Sequence, residues 1–125
     1  MTRLYSIMES PTHPDASVHY HRLGLEHQVF RSVRKAIAAL KREPPDWVVA
    51  EFFYGYGNNY AGANLGNLDV FLASLQRYAP SARVVVMVDK AERPWADRLG
   101  ERFPLHAVLE HPVTAEALAE VVAAG

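Results

Sequence analysis

The 125-residue chain is 50% apolar and 22% charged, and its 13 basic and 14 acidic side chains leave a formal net charge of -1. That is enough chain for one domain with a sizeable core, and the charge balance offers no bulk attraction to nucleic acid or to an anionic membrane. With no cysteine, disulfides, thiol redox chemistry and thiolate metal sites are excluded, and a reducing cytoplasm is the expected setting.

In chain order, RLYSIME (Arg3 to Glu9) reads as a first strand. SPTHPDA breaks it, because two prolines and an aspartate disfavour both helix and ladder. SVHYHRL reads as a short second strand, with His19 and His21 on one face and Val18, Tyr20 and Arg22 on the other. From Leu25 to Arg42 the apolar positions Val29, Phe30, Val33, Ala36, Ile37 and Leu40 recur at helical spacing, and Pro44 and Pro45 stop the helix. Its Arg31, Arg34, Lys35, Lys41 and Arg42 read as a solvated face. DWVVAEFF is a buried strand and Leu65 to Tyr78 a second helix. ARVVVMVD lacks alternation, as expected of a strand buried on both faces. PWADRLGERF is a helix with Pro94 in its first turn. LHAVLE is the last strand, and PVTAEALAEVVAAG a helix capped by Thr114. The N-terminus has no signal-like apolar core and no run is long enough to span a membrane. Residues 1–125 form a single domain.

Helices alternating with continuous apolar strands imply a mostly parallel sheet covered on both faces, a three-layer α/β architecture of flavodoxin-like type. In such sheets the site lies at the carboxyl ends of the strands, where the strand order reverses. Glu9, Glu51, Asp89 and His111 leave the strand ends and are expected to form one pocket there.

PPDWVVAEF resembles the third strand of response-regulator receiver domains, a Pro-Asp pair and an apolar run leading to the phosphorylated aspartate. ARVVVMVDKAE resembles the fourth strand, and AVLEHPVTAEALAEVV the fifth strand, the Lys-Pro pair and the last helix. The resemblance covers Val18 to Val122. It implies that Glu51 stands at the acceptor position and Glu9 in the acidic cluster that holds magnesium. Several positions depart from the pattern together. The acceptor is Glu51 rather than aspartate, Ser10 follows Glu9 in place of a second acid, Val88 replaces a hydroxyl residue, and His111 replaces lysine. A degenerate pseudo-receiver without aspartyl phosphorylation is the expectation.

SPTHPDA is also too short for the family's first helix, since a parallel crossover needs a dozen residues or more. That helix is expected to be missing or replaced by a loop, with the second strand antiparallel or outside the sheet. The uncovered apolar face would seek a partner, most simply in a homodimer.

Between Tyr54 and Gly66 the chain carries an almost uncharged segment rich in Gly, Asn and Tyr. One reading is a cover for the sheet edge, with Tyr54, Tyr56 and Tyr60 packed down and Asn67 capping the next helix. The other is a recognition surface built from Tyr54, Tyr56, Asn58, Asn59, Tyr60 and Asn64, since Tyr, Asn and Gly give rigid contacts and adaptable hydrogen bonds. YGYGNN matches no dinucleotide or Walker fingerprint. His13, His19, His21 and His27 raise a metal site, but spacing fixes no third ligand and scattered polar histidines account for them. The sequence therefore reads as a non-catalytic regulatory or scaffolding module of signal transduction. It is expected to bind an unknown signalling partner and itself, without cofactor, metal, nucleic acid or membrane. The alternative is a small metal-dependent phosphotransfer or hydrolytic protein using Glu9, Glu51 and Asp89.

Overall fold

In the computed structural model, which describes residues 2–55 and 65–125, the two continuous apolar runs lie side by side in one sheet. They are β3 (Trp47–Glu51), buried along its whole length, and β4 (Arg83–Val88), exposed only at its first residue. β1 (Arg3–Ile7) pairs with the other side of β3, and β2 (Glu26–Phe30) and β5 (Ala107–Glu110) form the edges. The order is β2-β1-β3-β4-β5 and every pairing is parallel.

Period-two alternation distributes the strand side chains between two cores. On one face Tyr5, Ile7, Val48, Ala50, Val84, Val86 and Val88 pack under α2 (Val33–Leu40), α3 (Asp69–Tyr78) and α4 (Arg93–Arg102). On the other face Leu4, Trp47, Val49, Val85 and Met87 pack under α1 (Ser17–Arg22) and α5 (Ala115–Ala124). Local signals start several helices as expected. Thr114 accepts a hydrogen bond from the Ala117 amide at 3.0 Å, Ser32 does the same for Lys35 at 3.2 Å, and Pro94 lies in the first turn of α4. The five basic side chains on and around α2 are exposed, as a solvated face requires.

Three expectations are corrected in the N-terminal third. SVHYHRL is a helix, α1, and the first helix is therefore present in six-residue form rather than missing. The Asp15 carboxylate accepts from the Ser17 amide at 2.9 Å and satisfies a donor in the first turn. Ala16 and Tyr20, one turn apart, bury against the sheet. Gly24, at φ 75°, ends the helix while the amides of Gly24 and Leu25 bond back to His21 and Tyr20. The segment from Leu25 to Arg42 is not one helix but β2 followed by α2. β2 lies inside the sheet and parallel to β1, with Arg3 opposite Glu26 and Ile7 opposite Phe30. A missing helix consequently gives no ground for a dimer. The helix expected from Leu65 begins at Asp69. No helix among the described residues is long and apolar enough to cross a membrane.

Candidate functional site

Strand order reverses between β1 and β3, and the chain leaves the carboxyl ends of these two strands at Glu9 and Glu51. Glu51 is the last residue of β3 and is fully buried. An isolated carboxylate there would be costly, yet both its oxygens are occupied. Oε1 accepts from the backbone amides of Glu9 at 3.0 Å and Ser10 at 3.1 Å. Oε2 accepts from the Ser10 hydroxyl and, at 3.0 Å, from the Thr12 hydroxyl. Nδ1 of His13, itself buried, stands 3.5 Å from Oε1. Burial pushes the carboxyl pKa up, but the contacts from His13, Ser10, Thr12 and the Glu9 amide outweigh it and hold the group at about 2, below its ordinary 4.5. SPTH thus folds over the end of β3 and clasps the carboxylate.

Glu9 has the opposite environment. Its side chain accepts from Asn67 Nδ2 at 2.7 Å. Burial raises its pKa, the bonds from Asn67 and the Val33 amide oppose that only in part, and the charge of Glu51 adds to the rise. Asn67 joins three segments, since its Nδ2 also donates to the Glu51 carbonyl at 2.8 Å and its Oδ1 accepts from the Phe53 amide at 2.7 Å. It does not cap α3, whose first turn lacks a side-chain cap of that kind. Instead Oδ1 of the buried Asp69 reaches back to the amides of Leu65 and Gly66 at 2.9 and 2.8 Å.

These bonds clamp the neck of the Gly/Asn/Tyr segment, where Tyr54 and Gly66 form an antiparallel bridge and the Gly55 amide donates to the Leu65 carbonyl at 2.7 Å. Tyr54 is 45% exposed and stacks on Trp95 of α4, with ring centroids 4.1 Å apart. Tyr56, Asn58, Asn59, Tyr60 and Asn64 lie outside the described residues.

Comparison with family models and with curated proteins finds no match. Solved structures do match over nearly the whole chain. A response regulator receiver domain protein from Clostridium thermocellum is 15% identical at a TM-score of 0.74, covering 99% of this chain and 93% of that one. A CheY-like receiver domain protein from Methanospirillum hungatei JF-1 is 11% identical at 0.74, covering 99% and 92%. A member of a family of streptococcal redox sensors that evolved from two-component response regulators is 14% identical at 0.75, covering 99% of this chain and 50% of that one. The fold is that of a response-regulator receiver domain.

Within the receiver fold the four strand-end residues do not behave as one group. Glu9 and Glu51 meet through backbone and Asn67, whereas among the described residues no hydrogen bond or ion pair links Asp89 or His111 to either. Asp89 is exposed and opens a 3-10 turn, Lys90–Glu92. His111 is half-buried, its amide donates to the Val88 carbonyl at 2.9 Å, and its Nδ1 is buried without a partner among the described residues.

The histidines also separate. His19 and His21 sit two apart on α1, which a helix turns to different sides, while His27 Nε2 bonds Ser6 at 2.7 Å and His13 faces Glu51. Among the described residues no three His, Cys, Asp or Glu side chains are grouped to hold a metal ion. From sequence, Ser10 stood out only as the residue in place of a second acid, His13 only among the candidate metal ligands and Thr12 not at all, though donors directly after Glu9 were a signal that something at the strand end needed them. Asn67 was picked out, but for another task.

Proposed function

We propose that the chain is a non-catalytic regulatory or scaffolding module of signal transduction, acting by contact with other proteins and with itself and not through aspartyl phosphorylation. The observation that carries this reading is the state of Glu51. The residue at the acceptor position is a fully buried carboxylate whose two oxygens are already engaged by the loop after β1. A nucleophile needs a free lone pair and an open line of approach, and a magnesium ion needs carboxylate oxygens free to face it. Glu51 offers neither, which also weighs against the metal-dependent alternative. It supplies instead a permanent internal anion that fixes the loop.

The streptococcal neighbour belongs to a family of redox sensors evolved from two-component response regulators. Thiol redox sensing is not open to the present chain, which has no cysteine, and a cytoplasmic setting belongs to the same reading. The test is incubation with a small-molecule phosphodonor and magnesium, followed by intact mass spectrometry, with a parallel calorimetric titration of beryllofluoride. The expected result is no covalent adduct and no heat of binding. A phosphoryl adduct mapped to Glu51 or Asp89 would refute the reading.

A further inference from the structure

A groove of about 380 Å³ runs between α1 and α5, outside the smaller of the two cores. Its walls are the C-terminal part of the six-residue α1 and the length of the ten-residue α5. Leu23, Ala119 and Ala123 give it an apolar lining. Leu23 is 43% exposed and neighbouring Val18 62%, so apolar surface that burial would favour stays in water.

The two walls carry opposite charge. Arg22 stands on the α1 side with the His19 imidazole beside it, and Glu116 and Glu120 on the α5 side. α1 (SVHYHR) contains no acid and α5 (AEALAEVVAA) no base. His19 reaches Glu116 of its own chain at 3.7 Å, but among the described residues no ion pair engages Arg22 or Glu120.

We propose that this groove is where a second copy of the chain docks about a two-fold axis, with Arg22 of each copy set against Glu120 of the other. A two-fold contact places the same patch against itself, so a patch of one sign would repel its partner. A patch split into a basic and an acidic half is self-complementary, and the apolar lining between the halves is covered in the same step. A partner protein of single-sign charge would be repelled by one wall. Small alanines on α5 allow close approach. The inference rests on the reading that the chain works by protein contact, but its test reads mass rather than phosphorylation, so either can fail alone.

The experiment is sedimentation velocity on the full chain at high micromolar concentration, for the wild type, R22E, E120R and an equimolar mixture of the two variants. Both positions are exposed, and superimposable melting curves establish that the variants fold. The wild type is expected to be dimeric. Each variant alone should dimerise about tenfold or more weakly, because every cross-copy pair becomes like-charged. The mixture should regain wild-type association, since each reversed charge then meets an opposite one. A monomeric wild type, a dimer indifferent to both substitutions, or a mixture that stays monomeric overturns the proposal. The first of these outcomes would leave the groove to a different protein.

Discussion

Glu51 and Glu9 are carboxyl groups at one strand-order reversal whose surroundings drive them in opposite directions. Glu51 is held at about 2 in the folded chain against 4.5 when unperturbed. A depressed carboxyl contributes stability that is fully present above the unfolded value and disappears as pH falls through the folded one. Between pH 4.5 and about 2 the protein should thus lose on the order of 3 kcal/mol through this group. Glu9 has the opposite sign: its raised pKa costs stability at neutral pH, and acid relieves that cost. Glu51→Gln keeps the shape but removes the charge that four hydrogen-bond donors address and that His13 faces. The variant should be less stable than wild type at neutral pH by a few kcal/mol, and its urea midpoint should vary less with pH across that acid window. Parallel midpoint curves for the two proteins would show that the clasp does not depend on the charge.

Elements were legible where burial and length spoke together. β3 and β4 are continuous apolar runs in the centre of the sheet, and α3, α4 and α5 show helical spacing, with recognisable starts in α4 and α5 but not in α3, whose first turn has no side-chain cap. α1 is too short for a period of 3.6 to separate from a period of two, so the alternation of Val18, His19, Tyr20 and His21 passed for a strand. β2 is an edge strand with no fully buried residue, and its Val29 and Phe30 happen to precede Val33 by helical intervals. Glu51 and Glu9 could be placed by strand position, whereas Ser10, Thr12 and His13 meet Glu51 only after about forty residues of chain have folded. Two glycines test how these elements end. Gly24 has a positive φ and open space around it, so Gly24→Ala should cost about 1 kcal/mol through backbone strain alone. At Gly66 an added Cβ would meet the Phe53 carbonyl oxygen at 2.2 Å and the Phe52 ring at 2.9 Å, and Gly66→Ala should cost more, up to about 3 kcal/mol. Urea titration measures both, and the reverse ranking would mean that the loop neck is looser than its hydrogen bonds imply.

At the scale of the molecule, the sheet leaves its first and third strands deep and its second and fifth at the margins. β1 comes first in the chain but lies between β2 and β3, so it gains its second neighbour only after β3 has been made. Parallel pairing at such separations is slow to nucleate, because the intervening chain must be ordered first. Once formed, it should not open evenly. Amides of β3 and β4 that bond within the sheet should exchange with deuterium only through global unfolding, while those of β2 and the last turn of α1 should exchange by cheaper local openings. Uniform protection across all five strands, measured residue by residue, would contradict this ranking. The clasp on Glu51 lies on the boundary between the two regimes: its anchor belongs to β3 and its donors to the connection leading to α1. Release of β2 and α1 would therefore bare the anion while the rest of the sheet stayed closed, so the time for which Glu51 meets solvent is set by the opening rate of one edge and not by the lifetime of the fold.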